Sequence, residues 1–250
     1  MAVVTDSQIK AIPGWFFRSD WSIFRFALEE SSRQVGKGDL LELGAYLGKS
    51  AVLIGGDVGQ GETFTVLDLF GAQADTPANA AENEDQYPSL TRSRFEENYL
   101  KVHDALPSVI QAPSSQVLDH VSSGSHRFVH VDASHLYEHV VGDVRASREL
   151  SAPQGIVAFD DYRTFHAVGV SAAVWEATRD GLNPVAVTEM KMYATWGDPD
   201  PWVDALARWL PWSGLAFEEE RIAENAVFRV WRKPGAVIRG LMELQKRRMS

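Results

Sequence analysis

The stretch FVHVDASHLYEHVVGDVRASRELSAPQGIVAFDD, residues 128–161, constrains the fold more than any other part of this chain. Phe128–Val131 predicts a buried strand ending in Asp132, and about Leu136–Leu150 predicts a helix. After a break at Pro153 and Gly155, Ile156–Phe159 predicts a second buried strand ending in Asp160 and Asp161. Two parallel strands joined by a helix bring both strand ends to one edge of the sheet, where open α/β sheets bind ligands. Three carboxylates are therefore expected to converge there, with His135 one turn away. Acidic oxygens crowded in this way repel one another unless a cation lies between them, and hard ligands of this kind suit Mg²⁺ or Mn²⁺.

A chain of 250 residues can build one large α/β domain with a full core, and a single domain over 1–250 is expected. The formal net charge of -10 argues against a nucleic-acid partner, whose backbone is bound mainly through Lys and Arg. With no cysteine, disulfides, thiolate catalysis and Cys-ligated metal sites drop out. No apolar run is long enough for a membrane span, and MAVVTDSQIK lacks the basic and apolar regions of a signal peptide. A cytoplasmic protein is the expectation.

Residues 1–35 are expected to form an arm ending at Pro13–Gly14 and then a helix. That helix would be capped by Ser19 or Asp20 and run to about Gln34, with Trp21, Phe24, Ala27 and Leu28 inward. The aromatic residues from Trp15 onward suit core packing better than a substrate flap. Asp39–Leu43 predicts a strand, followed by a glycine turn, Gly44 to Ser50, that opens a helix over Ala51–Val58. Such a turn lets a ligand approach backbone N–H groups. It is neither the phosphate loop, because only four residues separate Gly44 from Lys49-Ser50, nor G-x-G-x-x-G. The next strand, Thr63–Leu67, ends in Asp68, 24 positions after Gly44, where adenosine-binding α/β folds hydrogen-bond the ribose hydroxyls.

Residues 71–90 are long, polar and acidic, and predict a mobile lid loop. Beyond it, a helix over Arg92–Leu106, a strand over Val109–Gln111 and a helix starting at Ser114 or Ser115 are expected. Ser114 and Ser115 either cap that helix or contact an adenine. Later elements are a helix over His166–Arg179, one strand over Val185–Thr195, a helix over Pro201–Leu210 and a strand over Ala226–Trp231. A basic helix within 235–250 closes the chain.

With ELGAYLGKS, LDLF, VDASHLYEHVVGDVRA and VAFDDY in order, the chain resembles the class I S-adenosylmethionine-dependent methyltransferases over about residues 38–190. More narrowly, it is similar to the metal-dependent O-methyltransferases, including the macrocin-type enzymes that act on sugars. The resemblance implies a Rossmann-like, seven-stranded, mostly parallel sheet with helices on both faces, and a homodimer. It implies S-adenosylmethionine held by Glu42, Gly44, Tyr46, Gly48, Ser50, Asp68, Ser114, Ser115 and Asp132, and Mg²⁺ held by Asp132, Asp160 and Asp161. Catechol-type members carry a catalytic Lys where this chain has His135, and an Asp-Asn pair where it has Asp160-Asp161. His135 is the expected general base, with His166 or His139 in reserve, while His130 is expected to be a satisfied core histidine. Tyr137, Tyr162, Arg163, Tyr193 and Trp196, with Tyr46 and Trp202, are expected to wall the acceptor.

The expected chemistry is methyl transfer to a sugar hydroxyl, such as the 1-OH of a mannoside. A catechol or another natural product is the alternative acceptor. Two rivals share parts of the pattern: a nicotinamide oxidoreductase, which needs no triple carboxylate, and a non-catalytic sensor of the adenosine cofactor.

Overall fold

A computed structural model describes residues 3–87, 89–222 and 224–233. The elements run α1 (Asp6–Ala11), α2 (Arg18–Val35), β1 (Asp39–Leu43), α3 (Ala51–Gly55), β2 (Phe64–Asp68), α4 (Pro77–Gln86), α5 (Arg92–Tyr99) and β3 (Ser108–Gln111). They continue with β4 (His126–Val131), α6 (Tyr137–Leu150), β5 (Ser151–Phe159), α7 (Val168–Glu176), β6 (Asn183–Val187), β7 (Met192–Thr195), α8 (Asp200–Trp209), β8 (Ala216–Ile222) and β9 (Asn225–Trp231). The tail helix expected within 235–250 lies outside the described residues.

One sheet holds all of these strands in the order β3-β2-β1-β4-β5-β7-β6-β9-β8. β1 to β5 pair in parallel, so the carboxyl ends of β1, β2, β4 and β5 share one edge. The Rossmann-like expectation therefore holds in its α/β architecture, but the sheet has nine strands where seven were expected. One added strand comes from splitting Val185–Thr195. β6 and β7 are antiparallel, joined by a tight turn in which Thr188 N–H donates to Lys191 O at 2.8 Å. The other is β8, whose Glu218-Glu219-Glu220 run is exposed on a sheet edge and so carries no apolar alternation. The expected loop over 71–90 contains α4, capped by Thr76, whose Oγ1 accepts from Asn79 N–H, and started by Pro77.

Apolar side chains pack on both faces of the sheet. On one face Trp21, Phe24 and Leu28 of α2 meet Leu40, Val66 and Phe128. On the other, Val140, Val144 and Leu150 of α6 and Val170 and Val174 of α7 meet Leu41, Val129 and Val157. Alternate residues of β1 and β4 serve the two layers, which explains why these strands read as unbroken apolar runs. Among the described residues no helix is long and apolar enough to cross a membrane.

Candidate active site

At the carboxyl edge lies a cavity of about 320 Å³, within the usual range for small-molecule sites. Its floor is the turn after β1. Gly44 has φ +77°, and a Cβ there would lie 2.1 Å from the Asp132 carbonyl oxygen, so only glycine lets β1 and β4 end side by side. Tyr46 follows with φ 48°, a left-handed backbone that a non-glycine residue adopts at a cost. Asp68 holds this shape. Its Oδ2 accepts from Ala45 N–H (2.7 Å) and Tyr46 N–H (3.0 Å), and its Oδ1 from Phe70 N–H (2.7 Å). Burial raises its proton affinity, and the three N–H donors oppose that rise.

Gly44, Tyr46, Ser50, Asp68, Ser114 and Asp132 line the cavity, as do Asp160, Asp161, His135 and His166. Three residues expected at the cofactor do not. Glu42 lies behind the wall with its Oε1 2.8 Å from His130 Nδ1, and burial pushes its carboxyl up to about 8. Gly48 packs under Phe95, and Ser115 turns away to donate to Asp75 at 3.0 Å.

The acceptor wall differs most from expectation. Tyr193 and Trp202 are core residues, because β7 and α8 turn them into the apolar layer between helix and sheet. Tyr162 is buried with its hydroxyl on Thr188 O at 3.3 Å. Trp196 donates to Ser147 Oγ at 3.1 Å and lies under Arg148, while Tyr137 donates to Glu176. Arg163 is exposed and away from the wall. In their place stand Trp15 from the N-terminal arm, Tyr87 at the end of α4, and Met190 and Lys191 from the β6–β7 turn.

Lys191 is the residue that sequence reasoning missed. Its Nζ pairs with Asp160 and donates to His130 Nε2 at 3.0 Å, which leaves His130 to donate from Nδ1 to Glu42. The rings of Phe16 and Phe24 lie 5.2 and 5.9 Å from the ammonium. Burial pulls the Lys191 pKa down, but Asp160, Asp132 and Asp20 outweigh it and hold the group charged. His130 is kept neutral by burial and by Lys191 itself, so it is a satisfied core histidine.

The expected single metal triad divides in two. Candidate ligand atoms of His130, Asp132 and Asp160 lie within 4.8 Å of one another, and those of His135, Asp161 and His166 form a second set. Chain cations cause the split: Lys191 takes Asp160, and His135 Nε2 takes Asp161 at 2.9 Å. Asp132 alone has no hydrogen-bond or ion-pair partner for its carboxylate among the described residues. Its proton affinity is raised well above the usual, first by burial and then by Asp160. An unpartnered carboxylate beside a second one is a donor set that fits a hard cation.

His135 does not have the free nitrogen that a general base needs. Its Nδ1 lies 3.0 Å from Glu82 and its Nε2 on Asp161; burial opposes protonation, but these two carboxylates raise its pKa to about 10. Glu82 also accepts from Ser134 Oγ and His135 N–H, each at 2.8 Å. Burial opposes its ionisation, yet His135 and Ser134 bring it down to about 2. His166 lies edge-on to His135, 5.7 Å between centroids, and its ring nitrogens have no partner among the described residues.

Glycine turn, acid after β2 and a cavity across the strand ends define a fold that binds an adenosine-type cofactor at a sheet edge. Residues 41–162 match the family model of a methyltransferase domain. Its fold is similar to that of the O-methyltransferase NovP, at 18% identity over 71% of this chain and 79% of that one, with a TM-score of 0.57. It is also similar to a structural-genomics protein from Corynebacterium glutamicum (13% identity, 78% of this chain and 91% of that one, TM-score 0.53). Cofactor-bound Rv0187 from MTB is similar at 14% identity, over 77% and 88% of the two chains, with a TM-score of 0.51. No curated protein matches the chain.

Proposed function

We propose that the protein transfers a methyl group from S-adenosylmethionine to a hydroxyl of a sugar. The observation that carries this reading is one continuous cavity, bounded at one end by the glycine turn and Asp68 and at the other by Asp132, Asp160, Asp161 and His166. Gly44, Tyr46, Ser50, Asp68 and Ser114 would bind the cofactor, with Asp68 fixing the turn that receives it. The fold likeness to an O-methyltransferase supports the same class of reaction.

Mg²⁺, when bound, would be held by Asp132 and Asp160 and would supply Lewis acidity toward the acceptor oxygen. The chain's own residues do the remainder. Orientation of the hydroxyl toward the sulfonium carbon is the largest contribution, since aligned reactants reach effective molarities of about 10⁵–10⁸ M. His166 takes the hydroxyl proton, because both of its ring nitrogens lack a partner among the described residues and one lies beside Asp161, whereas His139 bonds Thr76. His135 holds Asp161 and Glu82 in place as a cation between them.

The test is methyl transfer from labelled S-adenosylmethionine to methyl pyranosides and to catechol, with Mg²⁺ or EDTA. Transfer to a pyranoside that EDTA abolishes is the expected result, and preference for catechol would overturn the sugar assignment. Cofactor binding without transfer to any acceptor would favour the sensor reading. In the same assay His166→Ala should slow turnover by about 10²–10⁴-fold with cofactor affinity kept, and a loss under threefold would remove His166 from the proton path.

A further inference from the structure

Three aromatic rings meet at the cavity wall. Trp15 stacks on Tyr46 at 5.0 Å between centroids, and Tyr87 closes the group at 6.2 Å from Trp15 and 5.5 Å from Tyr46. Trp15 comes from outside the matched domain, on an arm pinned to the glycine turn by Lys49 Nζ, which donates to Gly14 O at 2.9 Å. Although it belongs to this cluster, Trp15 is 62% exposed, so much of its ring is free to cover something else.

Along α4 the cavity is lined by carboxamides. Asn79, Asn83 and Gln86 fall at i, i+4 and i+7, one face of the helix. Asn79 is spent within the protein, on Glu82 at 3.1 Å and Ser134 at 3.5 Å. Asn83 and Gln86 make only long contacts through their amide nitrogens, at 3.4 and 3.5 Å, and their amide oxygens have no donor among the described residues. Each carboxamide presents a donor and an acceptor side by side, which matches a pair of neighbouring hydroxyls.

From this pairing of flat rings with carboxamides we infer that Trp15, Tyr46 and Tyr87, with Asn83 and Gln86, form the acceptor subsite for a pyranose ring. The C–H face of the sugar lies on the electron-rich aromatic faces, and its equatorial hydroxyls bond the amides. A catechol with its two oxygens spent at the carboxylate end of the cavity would use the rings and leave the amides idle, whereas a pyranose has further hydroxyls to offer them. The N-terminal arm is thereby a specificity element: it completes a site whose carboxylates, Asp132, Asp160 and Asp161, come from the matched stretch. This inference rests on the transferase reading for the identity of the ring as an acceptor.

The test uses the whole chain saturated with S-adenosylhomocysteine. Dissociation constants for methyl α-pyranosides of the manno, gluco, galacto and rhamno series are measured by NMR titration, beside calorimetry of the cofactor product. Trp15→Ala should weaken the best pyranoside about tenfold or more, Trp15→Phe should restore most of it, and S-adenosylhomocysteine affinity should stay within twofold. Asn83→Ala should weaken the pyranoside without changing catechol. Equal pyranoside affinity in wild type and Trp15→Ala would overturn the subsite, as would a wild type that binds S-adenosylhomocysteine and no pyranoside. Trp15-dependent pyranoside binding in a protein that ignores S-adenosylhomocysteine would support the subsite and overturn the transferase reading instead.

Discussion

The ammonium of Lys191, 1% exposed, answers for several acids at once: Asp160 directly, and Asp132 and the buried Asp20 through the field it casts. Neither oxygen of Asp20 has a hydrogen-bond partner among the described residues, and burial pushes it up to about 6 even with Lys191 lowering it. Removing one partner of a buried ion pair leaves an uncompensated charge, worth about 3–5 kcal/mol. Lys191→Met should therefore lower the unfolding free energy by about that amount in urea titrations, and adding Asp20→Asn should recover part of it. A single-mutant loss under about 1 kcal/mol would show that water already solvates the pair. Lys191 was visible in the sequence only as one charge before an apolar run, and without the β6–β7 turn nothing directs it at Asp160. Glu82 had still less signal, since it is one of several acids in NAAENEDQ and its distinguishing contact is with His135, 53 residues away. Asp132, Asp160 and Asp161 were legible because each ends a strand.

Helix α4 docks with almost no apolar surface; its buried residue is Asn79. Polar contacts hold it instead: Glu82 to His135 and Ser134, and Thr76 to His139 at 3.2 Å. Its stability should consequently follow pH in protein freed of divalent ions. His135 has a folded pKa of about 10 against 6.5, so its contribution is complete below 6.5 and is lost as pH rises through 10. Glu82 has a folded pKa of about 2 against 4.5, so its contribution is present above 4.5 and is lost as pH falls through 2. Amide exchange in residues 77–86, corrected for intrinsic rates, should be slowest between those limits and faster by pH 9, and Glu82→Gln should exchange quickly throughout. A flat profile in the unsubstituted protein would mean that the helix is held by something else. The Thr76-Pro77 start was readable as a helix N-terminus, but the acidic, apolar-poor stretch after it obscured a helix that packs by hydrogen bonds.

At the scale of the molecule, β1, β2, β4 and β5 were legible because strands covered on both faces read as apolar runs. The far half of the sheet was not. The β6–β7 turn, Thr188-Glu189-Met190-Lys191, contains no Gly or Pro to mark it, and β8 hides behind its glutamates. That far half delivers the site's buried cation. A ribosome making this chain releases Asp20, Asp132 and Asp160 well before Lys191, and the lysine reaches them only when β7 has paired with β5. Until then the parallel half of the sheet carries an unbalanced cluster of acids at its edge. Neutralisation of these acids is thus tied to the later-made half of the sheet, which follows the parallel half that carries Asp132 and Asp160.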